Sequence, residues 1–179
     1  EDVLERGKPI IVQVVKDAEA QKGAALTTNL SLAGRYMVLS PNSDVFGISR
    51  KLTDKDRDRL RRIVKSIKPS EHGIIVRTAA QEGTDEALEA DLRRLLAKWE
   101  KVEEAAKAAK ALDVCYEEPQ LVVKVIRDNF GPEYVTCIIN DEALHTEVTD
   151  YLDEVAPELK EKVHLYKPAP VTDDRDKQE

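Results

Sequence analysis

Arg77 and Thr78 stand side by side directly after the apolar, β-branched run Ile74-Ile75-Val76. Such a run reads as a short buried strand. A guanidinium fork and a hydroxyl at a strand end can hold a phosphate by charge-assisted hydrogen bonds, the arginine offering two parallel N–H donors. The same pair equally suits an arginine bound to a nearby carboxylate and a threonine that opens a turn. His72, His145 and His164 are isolated from one another and from any nucleophile motif, and Cys115 and Cys137 have no metal-ligand spacing. The residues therefore offer a binding chemistry, with no catalytic and no metal-binding residue among them.

A site of this kind needs local positive charge. The 179-residue chain carries 28 Lys and Arg against 35 Asp and Glu, a net charge of −7, which argues against nucleic-acid binding over its whole surface. Charge is segregated, however. From Arg50 to Lys68 there are nine Lys and Arg against three Asp, just before the Ile74–Val76 run. Either a binding face or an ordinary solvated helix face fits that segment. With 41% apolar and 35% charged residues the chain is globular, long enough for one ordinary domain or two small ones. No stretch approaches the roughly 20 apolar residues of a membrane span. Two distant cysteines read as buried thiols of a cytoplasmic protein, a disulfide between them being open but unsupported, and an initial Glu in place of Met reads as a piece of a longer chain.

The elements that must position Arg77 and Thr78 follow from pattern. Residues 9–15 and 25–28 read as two short strands around a polar turn, 36–39 as a buried strand that Pro41 ends, and 47–51 as a further strand. Thr53 with Asp56 three residues on is a capping-box variant opening a helix whose apolar face is Leu60, Ile63, Val64 and Ile67. Leu88, Leu92, Leu95, Trp99, Val102, Ala106 and Ala109 then step by four and three. That is a heptad pattern on a helix from about 84 to 112, suited to pack on another helix or a second subunit, with Trp99 a packing residue. Beyond it come a strand at 113–117, a helix with Pro119 in its first turn, a strand at 134–139, a helix capped by Asp141 and a strand at 163–166. The fold class is α/β (α+β): small mixed sheets with a long heptad-patterned helix, then a helix-strand-helix-strand piece.

Lys22-Gly23-Ala24-Ala25-Leu26-Thr27-Thr28, Ser31-Leu32-Ala33-Gly34-Arg35-Tyr36, Gly47-Ile48-Ser49-Arg50-Lys51 and Ile75-Val76-Arg77-Thr78-Ala79 occur in that order. Together with Asp91-Leu92, Trp99-Glu100 and Arg127-Asp128, they resemble the ribonuclease E/G family over residues 8–166. The resemblance implies a segment of a single-strand-specific endoribonuclease for RNA processing and decay. Residues 1–28 would be the remnant end of an OB-fold RNA-binding domain, 29–118 a sensor for the 5′ end of RNA, and 119–168 part of an RNase H-like domain. Residues 169–179, which lack an apolar pattern, would be a disordered tail.

By the same resemblance the partner is single-stranded RNA with a 5′-monophosphate, held at Gly34, Val38, Arg77 and Thr78. A pocket fitted to one phosphate rejects the bulk and charge of a triphosphate. Arg50 and Lys51 would guide the following RNA backbone. The remainder of the ribonuclease chain is a second implied partner, and a homo-oligomer a third. Mg²⁺ is implied for the full-length family enzyme but not for this segment, which alone would be catalytically inactive. The sequence departs from the family in three places. Its Asp and Glu do not match the metal-binding pattern, the Cys-Pro-x-Cys zinc link is missing, and residues 42–46 replace a more glycine-rich turn at the pocket rim. A non-catalytic interaction module using the heptad helix is the competing reading.

Overall fold

The computed structural model describes residues 7–168, so the expectation for the tail at 169–179 lies outside the described residues. The chain divides into two units, Glu1–Glu118 and Pro119–Glu179.

The first unit begins with an antiparallel pair, β1 (Gln13–Lys16) and β2 (Ala25–Thr27). β1 starts four residues later than the apolar pattern suggests, and Ile10, Ile11 and Val12 are exposed ahead of it. The Gln13 carboxamide accepts from Ser31 N at 2.8 Å and donates to Ser31 O at 3.0 Å, joining this pair to the chain that follows.

β3 (Leu32–Ala33), β4 (Met37–Ser40), β5 (Phe46–Ile48) and β6 (Gly73–Val76) form a sheet in the order β3-β4-β6-β5. The β4–β6 pairing is antiparallel and β5–β6 parallel. Strand alternation sends Met37, Leu39, Ile74 and Val76 into the core, where all four are fully buried. On the other face, register aligns Ala33, Val38, Ile75 and Gly47 in a row across all four strands. β5 is displaced and shorter than the expected strand at 47–51. Ser49 O and Oγ accept the N–H groups of Leu52 and Lys51, so the chain turns there instead of extending.

Helices α1 (Asp54–Ile67) and α2 (Asp85–Ala108) cover the buried face. The Thr53 side chain accepts from Asp56 N, and Thr84 Oγ1 accepts from Ala87 N, so each helix starts on a threonine cap. Leu88, Leu92, Leu95, Trp99 and Val102 all lie in the core with β3, β4 and α1. The face thus meets another helix, α1, as the pattern suggests, and meets the unit's own sheet as well, which the pattern does not reveal. α2 also stops before residue 112. Lys110 N donates to the Asp113 carboxylate at 2.7 Å and Asp113 N to Lys110 O at 3.1 Å, closing a turn in which Leu112 takes a left-handed φ of 77°. Residues 113–117 are accordingly not a strand. Cys115 and Tyr116 pack on the core as irregular chain, with Lys98 Nζ 5.5 Å from the Tyr116 ring centre.

The second unit holds α3 (Leu121–Asn129), β7 (Cys137–Ile139), α4 (Glu142–Val155), α5 (Pro157–Lys160) and β8 (Val163–Leu165), with β7 and β8 parallel. Ile126, Phe130, Ile139, Val148, Leu152, Leu159 and Val163 make its core. Asp141 caps α4 by accepting from Leu144 N at 2.9 Å. Pro119 precedes α3, whose N-cap is Gln120, so it does not occupy the first turn. The expected strand at 134–139 is halved because Tyr134 is held in a turn. Its N–H reaches Gly131 O, its carbonyl accepts from Lys162 Nζ at 2.8 Å, and its ring lies 5.6 Å from that of Phe130. Among the described residues no helix is long and apolar enough to cross a membrane, and both cysteines are free thiols.

Candidate functional site

Arg77 leaves β6 on the same side as Ile75, away from the core, because Val76 between them points inward. Its backbone N donates to Tyr36 O at 2.8 Å, and its Nη1 donates to Gly34 O, also at 2.8 Å. The guanidinium is thus held across the sheet by a carbonyl, half-buried at the end where β4 begins and β6 ends. The bound carbonyl is itself fixed. Gly34 N donates to Met37 O at 2.8 Å, closing a tight turn into β4.

A buried carboxylate fastens that turn from beneath. Asp91 on α2 is 2% exposed and accepts the successive backbone N–H groups of Arg35, Tyr36 and Met37 at 3.2, 2.9 and 3.1 Å. Arg94 Nη2 lies 3.6 Å from its Oδ1. A carboxylate costs several kcal/mol to bury alone, so these donors are what make its place in the core tolerable. They also require glycine at 34, where a Cβ would lie 2.6 Å from Asp91 Oδ2 and 2.9 Å from Oδ1.

Thr78 is exposed beside Arg77 and opens a short 3₁₀ turn, Thr78–Gln81. Its Oγ1 is 2.8 Å from Ser49 Oγ, at the end of the neighbouring parallel strand. Arg59 on α1 donates to Ala80 O at 3.2 Å, Gln81 O at 2.8 Å and Gly83 O at 3.2 Å, which fixes the far end of the turn. Gln81 Nε2 adds a bond to Asp56 at 3.1 Å.

The basic segment serves two purposes. Arg57 pairs with Asp54 at 3.3 Å, Arg61 with Asp58 at 2.6 Å, and Arg59 clamps carbonyls, so these three cations support structure. Arg50 and Lys51 are exposed immediately after Ser49, at the Thr78 end of the sheet.

Of the residues singled out by sequence, Gly34, Arg77 and Thr78 share one sheet end. Val38 is half-buried on the open face, paired in register with Ile75. The turn at 42–46 lies at the opposite end of β4, because Ser40 pairs with Gly73 while Met37 pairs with Val76. It therefore does not form a rim around Arg77, which corrects that expectation. Beside this turn is a cleft of about 760 Å³ lined by Ser40, Asn42, Ser43, Asp44, Ser70 and Glu71 among others, and by no Lys or Arg. Its hydroxyl and amide groups bring no cationic side chain to an anion.

Three residues of the site had no role in the sequence reading: Asp91, Ser49 and Arg59. A signal for Asp91 was present, since an acid three residues after Leu88 and four before Leu95 falls within an apolar helix face. Ser49 and Arg59 depend on contacts between distant segments and carry no such signal.

The residues do not fit the Mg²⁺ implied for the family enzyme. Among the described residues no three His, Cys, Asp or Glu side chains converge to hold a metal ion.

Comparison with known proteins gives this sequence relatives. The model of the Ribonuclease E/G family matches residues 31–177. The chain is 35% identical over 167 residues to Ribonuclease E of Haemophilus influenzae, covering 92% of this chain and 18% of that protein. It is 32% identical over 166 residues to Ribonuclease G of the same organism, covering 92% of this chain and 34% of that protein. A chloroplastic Ribonuclease E/G-like protein of Arabidopsis thaliana is 34% identical over 173 residues, covering 91% of this chain and 17% of that protein. The chain thus spans about a third or less of the length of these relatives.

Proposed function

Because this chain belongs to the ribonuclease E/G family, we propose that its first unit binds the 5′-monophosphate end of single-stranded RNA, with Arg77 and Thr78 as the phosphate donors. The observation that carries this reading is the Arg77–Gly34 hydrogen bond of 2.8 Å. It fixes a guanidinium next to an exposed hydroxyl at an open sheet end. The Gly34 carbonyl fixes the plane of the guanidinium at the sheet end, which sets the direction of a charge-assisted bond to phosphate. Val38 and Ile75 give the terminal nucleotide an apolar surface, and Arg50 and Lys51 take the backbone that follows.

Within this reading the segment contributes RNA recognition to a cytoplasmic, Mg²⁺-dependent endoribonuclease. Its own described residues bind and orient the RNA end and perform no cleavage. The Arabidopsis relative is chloroplastic by name, so the compartment varies among related proteins.

Titration with one short single-stranded RNA, prepared with a 5′-phosphate and with a 5′-hydroxyl, tests the proposal. The phosphorylated form should bind more tightly, and Arg77→Ala should remove about 1.5–3 kcal/mol of that binding while leaving the 5′-hydroxyl form little changed. Equal affinity for the two ends in the unaltered protein overturns the reading.

A further inference from the structure

We infer that Ser49 is a positioning residue for the phosphate subsite, setting Thr78 as a hydrogen-bond donor to the bound anion. The inference rests on the reading of Arg77 and Thr78 as phosphate donors and adds a residue to that site.

The argument is one of hydroxyl protons. Ser49 Oγ lies 2.8 Å from Thr78 Oγ1, within hydrogen-bond distance for two alcohols, and accepts the Lys51 N–H at 3.3 Å. A hydroxyl has one proton and two acceptor lone pairs. Two alcohols in contact share one of their two protons, so the pair has one left for a ligand. Lys51 N–H takes one lone pair of Ser49 Oγ and leaves the Ser49 proton to be given to Thr78 Oγ1, the direction that this inference assigns to a contact whose geometry suits a donor at either oxygen. The Thr78 proton then points to the anion beside Arg77. Each donor polarises the next, which strengthens the last bond of the series.

The fold holds this order in place. Ser49 N donates to Val76 O at 2.9 Å, continuing the parallel β5–β6 pairing, so the serine is delivered to Thr78 by backbone register. Ser49 is half-buried and Thr78 exposed, which leaves the outer hydroxyl accessible. An isolated threonine would lose a rotor's freedom on binding phosphate. Here a neighbour already fixes its oxygen, so less is lost.

The test compares the 5′-phosphate and 5′-hydroxyl forms of one single-stranded RNA on the unaltered chain, Ser49→Ala, Ser49→Thr, Thr78→Val and Ser49→Ala/Thr78→Val, each checked by thermal melting. The phosphate-to-hydroxyl affinity ratio should fall about fivefold in Ser49→Ala, the loss of one net hydrogen bond. Ser49→Thr, which keeps the hydroxyl, should restore it. Adding Ser49→Ala to Thr78→Val should lower the ratio no further. An unchanged ratio in Ser49→Ala, while Arg77→Ala abolishes the preference, overturns the role of Ser49 and leaves the site standing. A full further fivefold loss in the double variant overturns action through Thr78, because Ser49 would then touch the phosphate itself. Equal affinity of the unaltered chain for both RNAs overturns the underlying reading and this inference with it.

Discussion

Gly34 and Asp91 lie so close that a methyl group on residue 34 would sit 2.6 Å from Oδ2 of a buried carboxylate. Real Cβ atoms do not approach that near, so Gly34→Ala must push the turn off Asp91. The displaced turn weakens three N–H bonds to the carboxylate and moves the carbonyl that anchors Arg77. Leaving a buried polar group unsatisfied costs about 1–3 kcal/mol, and a charged one such as Asp91 at least that. Denaturant unfolding should show a loss of that size, and the preference for 5′-phosphorylated RNA should fall in the protein that remains folded. Native stability together with native preference in Gly34→Ala would mean that the Asp91 contact does not set the anchoring carbonyl.

This relationship marks the limit of what sequence makes legible. The Thr53 and Asp141 caps and the apolar faces of α1 and α2 follow from local spacing, and the structure has them. Local spacing also puts Arg77 beside Thr78. It does not give the partner of a face: Leu88, Leu92 and Leu95 carry the same pattern whether they meet a sheet or a second helix. Nor does it show a side chain that closes a turn after a helix, as the Asp113 carboxylate does by accepting Lys110 N–H. Gly34, Ser49 and Asp91 reach the site through long-range contacts, so their joint presence there is a property of topology. Sequence shows in Gly34 a glycine that lets backbone approach closely at the start of a strand, but not the carboxylate that approaches it.

Leu92 distinguishes a core helix from a docking helix. It is 2% exposed and packed under the sheet, so Leu92→Asp loses about 1.5–3 kcal/mol of apolar burial and adds an unpaired charge to the core. The sum is comparable to the whole stability of a small domain. The variant should therefore unfold the first unit, seen as loss of helical circular dichroism and a lowered melting temperature. A folded Leu92→Asp protein that has merely lost self-association would restore the interaction-module reading.

The start of α2 carries a pH dependence. Glu86 has its carboxyl held below the usual carboxylate range, first by its own backbone N–H and then by the Thr84 hydroxyl. A carboxylate in the first helical turn also faces the positive end of the helix dipole. Because the folded-state value is depressed, the contribution is present above the unfolded carboxylate pKa and is lost as pH falls through the folded one. Glu86→Gln should accordingly lower the melting temperature at pH 7 by a small amount, since the group is fully exposed and screened by salt. The difference between variant and unaltered chain should vanish once the pH is below the folded value. A difference that persists undiminished in acid would assign the effect to packing or helix propensity and not to the charge.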